Sequence, residues 1–319
     1  MRVLIVADIH ANWSALQAVK EPHDVCLFLG DLVDYGLEIA PCIDWVRRKA
    51  RYAIRGNHDH GAVQNVVVNG MSGFKFLTGV TRPLTREKLN PKDRRYLASL
   101  PVSWVVTLND LRVLMVHGTP RDPLDEYAPA DPDYWARRLE GVDADVVCVG
   151  HTHIPFILEV GHKLVINPGS VGLPRDGDPR ASYAVLQGTK AEIKRIEYPV
   201  EEAVKVIEQS TLPGPAKELL AEVYRTGSAK SQKVDSKALP KAESVIAKPK
   251  LTFQGVVARP KQTLQGTGRA EGPAPIAEAP EGVVARSKPT LQGLDRAPEA
   301  PTPIAEAPEI RLQEEDGEK

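Results

Sequence analysis

Apolar residues along this chain gather in short runs, several of them apolar throughout. Strand-like runs occupy residues 2–7, 24–29, 51–55, 112–116, 145–149, 163–166, 182–186 and 193–198. A strand that alternates apolar and polar residues has one wet face, whereas one that is apolar throughout is covered on both. Between the early runs lie segments of helical length, 12–20 and 39–49, giving the strand-helix-strand rhythm of a parallel sheet. No helical pattern separates the last strands, so the second half is expected to be more antiparallel. Two layers of sheet flanked by helices accommodate both halves. Residues 200–209 and 216–224 read as closing helices, with Gly227 as a stop. The stretch 61–110 breaks the rhythm, with a Gly-rich opening at 69–73 and a helical pattern only at 91–100. Placed as an insertion, it is expected to overhang the neighbouring loops as a lid, or to be a surface excursion.

The pattern stops near residue 228. From there to residue 319, 92 residues hold one aromatic, Phe253, and eleven of the 27 prolines, too little to pack a core. Residues 255–266 return as 282–293 with two changes, and 275–281 return as 303–309. Two copies are too few for a solenoid. The chain therefore divides into a domain at 1–227 and a disordered Pro-rich tail at 228–319 with duplicated segments, suited to recruiting a protein partner or to simple extension. A formal net charge of −1 gives no reason for bulk affinity to nucleic acid or membrane. No run approaches the ~20 apolar residues of a membrane helix. Cys26 and Cys148 sit in apolar runs and Cys42 at a helix start, with no pairing scheme, so a soluble, cytoplasmic protein is expected.

Candidate chemistry lies where the strands end. Six of the eight histidines fall in five clusters, each just after an apolar run: Asp8-Ile9-His10, Gly30-Asp31-Leu32-Val33-Asp34, Gly56-Asn57-His58-Asp59-His60, Val116-His117-Gly118 and Gly150-His151-Thr152-His153. The carboxyl ends of strands are where open α/β sheets gather their ligand-binding loops. Taken singly these clusters are weak, since an Asp-x-His or a lone histidine is common in turns and cores. His151 and His153 are stronger, because a two-residue spacing puts both side chains on one side of an extended segment. Together the five announce oxygen and imidazole ligands without thiolate, too many for one ion.

In this order the clusters resemble the calcineurin-like metallophosphoesterase superfamily. The resemblance runs from Met1 to about Tyr198, since Asn167-Pro168-Gly169-Ser170 and the Pro174-Arg175-Asp176-Gly177-Asp178-Pro179 stretch are similar to its small prokaryotic phosphodiesterase branch. It implies an α/β fold, a four-layer α/β/β/α sandwich with a two-metal site at one edge. Position by position it implies one ion on Asp8, His10, Asp31 and His153, and a second on Asp31, Asn57, His117 and His151, with Asp31 bridging. Mn²⁺ is the expected metal, and Fe²⁺, Co²⁺, Ni²⁺ or Zn²⁺ also suit these donors. Such a pair activates a shared water as the hydroxide that attacks phosphorus in line. The resemblance makes His58 the general acid for the leaving alkoxide and Asp34 the carboxylate that orients it. Arg175, Arg55 and Arg121 are candidates to grip a phosphate oxygen, and His60 to contact substrate; a plain surface position is the alternative for each.

One departure bears on the substrate. In the protein Ser/Thr phosphatase branch, the residue after the equivalent of Asp34 is a phosphate-binding arginine; here it is Tyr35. That favours a small phosphate ester or nucleotide over a phosphoprotein. The expected activity is hydrolysis of phosphodiester or phosphomonoester bonds. The alternatives are a nucleotide pyrophosphatase, a protein phosphatase, or a non-catalytic scaffold like the retromer subunit of the superfamily, which lacks the catalytic histidine present here as His58.

Overall fold

The computed structural model describes residues 1–229, so the expected tail, with its disorder and partner-recruiting role, lies outside the described residues from residue 230 on. The chain begins with β1 (Arg2–Val6), α1 (Trp13–Ala18), β2 (Val25–Phe28), α2 (Ile39–Lys49), β3 (Tyr52–Ala53) and α3 (Asn57–Gln64). It continues through α4 (Gly73–Lys88), α5 (Pro91–Ser99), β4 (Ser103–Leu108), β5 (Leu111–Val116), α6 (Pro132–Arg138) and β6 (Val146–Cys148). It closes with β7 (Phe156–Val160), β8 (Lys163–Asn167), β9 (Ala181–Gln187), β10 (Lys190–Ile196), α7 (Val200–Glu208) and α8 (Gly214–Thr226).

Two five-stranded sheets result, ordered β10-β9-β1-β2-β3 and β4-β5-β6-β8-β7. In the first, β1, β2 and β3 are parallel while β9 and β10 are antiparallel. The second is antiparallel only at its edges, because β5, β6 and β8 run parallel inside it. The second half is therefore more antiparallel than the first, as expected: β4–β5, β7–β8, β9–β10 and β1–β9 pair antiparallel, and only β5–β6 and β6–β8 pair parallel.

The unbroken apolar runs are explained by the layers. Along β1, Val3 and Ile5 face a core shared with Val113, Met115, Val146 and Cys148 of the other sheet. Leu4 and Val6 face the opposite side, where the core includes Leu16, Ile43, Val204 and Leu220 from α1, α2, α7 and α8. On the outer face of the second sheet, Val147 and Val165 pack with Trp135 and Leu139. Helices, sheet, sheet and helix thus form four layers, and each fully buried aliphatic contributes about 1.5–3 kcal/mol. Cys26, Cys42 and Cys148 are all buried free thiols.

The irregular stretch 61–110 holds two helices and a strand. α4 contains Gly79 and Pro83, residues that cost about 1 and 3 kcal/mol in a helix interior. It persists because Phe76, Leu77 and Thr81 are buried and because Arg82 finds a buried partner, described below. Among the described residues, no helix is long and apolar enough to cross a membrane.

Candidate metal centre

The parallel strands β1, β2, β3, β5 and β6 all end at one edge of the sandwich; four of the five clusters sit in the loops that follow them, and the fifth, Asn57 to His60, opens α3. Those loops are tightly bent. Ten non-glycine residues among those described have positive φ, and eight of them are here: Asp8, His10, Ala11, Asp31, Asp34, Tyr35, His151 and His153. Left-handed backbone is costly outside glycine and concentrates at functional sites. It also corrects the reading of His151 and His153 as side chains on one side of an extended segment. With φ of 68° and 61° the segment is a turn, and it sends the two rings to different groups.

Asp8, His10, Asp31 and His153 form one group, whose ligand atoms all lie within 4.8 Å of one another; Asp31, His117 and His151 form a second. Asn57 belongs beside the second, its Oδ1 3.2 Å from His117 Nε2. The histidines and carboxylates among these are oriented by backbone. Nδ1 of His10 donates to the Val33 carbonyl at 2.8 Å, that of His117 to Leu29 at 2.8 Å, and that of His153 to Leu173 at 2.5 Å. Each ring therefore turns Nε2 inward as the free nitrogen, the arrangement metal-ligating histidines adopt. His151 is reversed: Nε2 meets the Asp125 carbonyl at 3.1 Å, leaving Nδ1 for the centre. The carboxylates are held alike, Asp8 Oδ2 by the His151 amide at 3.2 Å and Asp31 Oδ1 by the His58 amide at 2.8 Å. Gly56 permits this approach, since a Cβ there would run into Asp31 Oδ1.

What remains is a set of buried atoms without hydrogen-bond partners, and it tests whether cations fit. Asp8 Oδ1 and Asp31 Oδ2 are wholly buried and unsatisfied. Nε2 of His10 and Nε2 of His153 stand 3.2 Å apart, although with both Nδ1 atoms donating neither nitrogen has a proton to offer the other. Two carboxylate oxygens and facing lone pairs in a dry pocket are costly unless positive charge joins them. The electrostatics agree. Burial holds His10 and His153 well below the usual imidazole range, and His151 down to about 3. Burial pushes the Asp8 carboxyl up, and it opposes ionisation of Asp31 too, but the facing His117 and His58 hold Asp31 well below the carboxylate range. Burial also opposes charge on His117, yet Asp31 and then Asp8 raise it to about 10. The same carboxylates would draw a metal ion, which competes for that nitrogen. Divalent cations fit this donor set.

Beside the centre, His58 Nδ1 donates to Asp34 Oδ2 at 2.8 Å, and Nε2 lies 4.0 Å from Asp31 Oδ2 and 3.3 Å from the Tyr35 hydroxyl. Asp34 Oδ2 also accepts from Arg82 Nε at 2.9 Å and Nη2 at 2.7 Å. Asp59 is buried and accepts the amides of Asp31, Leu32 and Gly56, so it pins the loop and does not face the centre. A cavity of 310 Å³ opens outward, and His60 and Arg175 line it. Arg55 does not: its Nη1 reaches back to the Ala98 carbonyl at 3.5 Å, and its amide bonds Pro101. Arg121 is exposed on the turn after β5 and is not part of the lining either. For both arginines the phosphate-gripping expectation is set aside on these positions.

Sequence reasoning missed three contributors. Arg82 lies inside an illegible helix, and Asp125 acts through its backbone carbonyl. Tyr127 sits in a loop with no pattern, its ring centroid 4.1 Å from that of His151.

Comparison with known proteins agrees with this geometry. The calcineurin-like phosphoesterase superfamily domain matches residues 1–191. An uncharacterized protein of Methanocaldococcus jannaschii is 31% identical over 236 residues, 66% of this chain and 93% of that one. The crystal structure of a metallophosphoesterase from Sphaerobacter thermophilus superposes with a TM-score of 0.60 at 31% identity, covering 71% of this chain and 99% of the other. A 42-residue segment is 48% identical to the phosphodiesterase YfcE of Escherichia coli K12, spanning 13% of this chain and 22% of YfcE. The chain belongs to the calcineurin-like phosphoesterase superfamily and is a metal-dependent phosphoesterase.

Proposed function

We propose that the chain hydrolyses small phosphodiesters or phosphomonoesters at a pair of divalent cations, one on Asp8, His10, Asp31 and His153 and the other on Asp31, Asn57, His117 and His151. The observation that carries the reading is the shared Asp31: its unsatisfied Oδ2 lies 3.8 Å from His10 Nε2 in one group and 3.2 Å from His117 Nε2 in the other. When bound, such cations polarise phosphoryl oxygens and lower the pKa of a coordinated water toward neutrality. Carboxylate, imidazole and amide donors without thiolate suit Mn²⁺, our choice, as well as Fe²⁺, Co²⁺, Ni²⁺ or Zn²⁺.

His58 is the proton donor. Its Nδ1 is occupied by Asp34, so Nε2, beside the centre and on the cavity, is the nitrogen that gives a proton to the leaving oxygen. Asp34 keeps that ring in place, and Arg82 keeps Asp34 in place. Arg175 is the phosphate grip. Among the described residues no carboxylate pairs with it; its Nη1 and Nη2 donate to the hydroxyls of Tyr127 and Tyr35, which leaves the guanidinium charge for an anion. A 310 Å³ cavity suits a small ester and not a folded phosphoprotein. A scaffold without chemistry has no use for the His58-Asp34-Arg82 chain. The homologous segment of a protein named phosphodiesterase supports the diester alternative.

The test joins elemental analysis of the purified protein to hydrolysis of an aryl phosphodiester and an aryl phosphomonoester. Two ions per chain and turnover that a chelator abolishes are expected. No turnover with any of the five metals sinks the proposal.

A further inference from the structure

The 310 Å³ of the cavity stands at the low end of volumes that hold a small molecule, about 300–1,000 Å³. His58 and His151 are on its floor. Val66 and Val68 line it from the segment joining α3 to α4, Phe74 from the first turn of α4, and Leu124 and Tyr127 from the loop after β5. Two lips of different origin therefore border one opening.

Tyr127 is the informative member. Tyr127 is 58% exposed, yet its side chain is held at two points. One side packs 4.1 Å from His151, and the hydroxyl accepts from Arg175 Nη1 at 3.2 Å. Arg175 in turn lies 3.7 Å over the Phe74 ring, which ties the two lips together. An aromatic ring fixed at the mouth of a site, with apolar surface left to solvent, is a platform for a ligand. On the opposite lip Val66 is exposed as well. Scattered exposed apolar residues need no explanation, but these border a single opening.

The role of His58 fixes which part of a substrate meets these lips. If His58 gives its proton to the leaving oxygen, the leaving alcohol begins at Nε2 and extends into the cavity. We infer that the cavity clamps a planar aromatic leaving group of the nucleoside class, its ring stacked on Tyr127 and flanked by Val66 and Val68. His60, on the same lining, supplies an imidazole for the polar edge of such a ring. This inference rests on the function proposed above and names its substrate class.

A matched pair of substrates tests it: a nucleoside 5′-monophosphate and ribose 5-phosphate, which release a primary alcohol from the same bond and differ in the base. Their methyl diesters serve the same purpose for a diester-cleaving enzyme. On the full-length, Mn²⁺-loaded chain the base-bearing member is expected to show kcat/KM about tenfold higher, carried by KM. Tyr127→Ala is expected to bring that ratio to about one, and Tyr127→Phe, which keeps the ring, to retain most of it. A wild-type ratio near one, or a ratio that survives Tyr127→Ala, overturns the clamp and leaves the phosphoesterase reading intact. If neither substrate nor an aryl phosphate turns over, the proposed function fails instead, and calorimetric titration of adenosine against ribose on the metal-free protein decides the clamp. Heat from adenosine alone, lost in Tyr127→Ala, supports it; equal silence from both overturns it.

Discussion

The floor of the site and its wall are built by different means. On the floor, each ligand follows a parallel strand, and the histidines and carboxylates are locked by backbone groups, as the carbonyls on His10, His117 and His153 and the amides on Asp8 and Asp31 illustrate. Left-handed backbone is concentrated there, and strain of that kind persists only where the surroundings over-determine it. The wall has no strand ends. Its side chains stand on a loop, on α4 with its internal Gly79 and Pro83, and on the rim at Tyr127, and much of it is exposed. Arg82 links the two, leaving α4 to hold Asp34. A rigid floor that fixes the chemistry and a softer wall that selects what reaches it are separable, and substitutions can tell them apart.

Asp31 should break the floor most completely. Asp31→Asn replaces the one side chain common to both ligand groups by an amide that carries no charge. Both ions are expected to fall to background by elemental analysis, with turnover below detection, while Tyr127→Ala on the wall keeps its metal. An Asp31→Asn protein that retains two ions would refute the bridging role. His58→Ala comes next. It removes no ligand, so metal content stays, but kcat for an alkyl ester is expected to drop about 10²- to 10⁴-fold. The loss should shrink for an aryl ester, whose leaving oxygen needs little protonation. Equal losses for both esters would argue that His58 acts otherwise.

The two regions also differ in how far the sequence exposes them. Asp8, His10, Asp31, Asn57, His117, His151 and His153 can be picked out because ligand-type side chains stand just past apolar runs, and because runs such as Val3 to Val6 are apolar on both faces when both are covered. Their backbone cannot be read, which is why His151 and His153 were given an extended segment and turned out to lie in a turn. α4 was illegible for a local reason: glycine, proline and threonines outweigh its apolar stripe, and tertiary burial of Phe76 and Leu77 decides the outcome. Arg82 was hidden with it. β4 and β7 are partly exposed strands, and a polar residue, Thr107 or Glu159, interrupts the apolar run of each. Arg55 illustrates the opposite error, a guanidinium near a ligand cluster in sequence that turns away in space.

Arg82 sharpens the boundary between the regions. Arg82→Met leaves Asp34 buried with His58 as its remaining hydrogen-bond partner, and breaking a buried pair in this way costs about 3–5 kcal/mol. Groups that orient a catalytic or ligating side chain typically matter about 10- to 100-fold, and a fall of that size in kcat at unchanged metal content is expected, with Arg82→Lys recovering part of it. If Arg82→Met lowers stability in urea but leaves kcat alone, the residue belongs to the wall only.

The smallest effect is expected where the wall is tethered from behind. Glu126, next to Tyr127, pairs with Arg138 of α6 through Nε at 2.9 Å and also accepts from the Thr119 hydroxyl. The Arg138 hydrogen bonds, against some burial, lower its carboxyl from 4.5 to about 2. A folded pKa below the unfolded value means stability that is fully present above about pH 4.5 and lost as the pH falls through about 2. The pair is partly solvated, so it is worth up to about 1 kcal/mol. Glu126→Gln should therefore lower Tm slightly at pH 7, and the gap from wild type should close on titration from pH 4.5 toward 2. Because the floor takes no part in this pair, metal content at pH 7 should be unchanged. A gap that stays constant down to pH 2 would mean that Glu126 holds the Tyr127 loop by shape and not by charge.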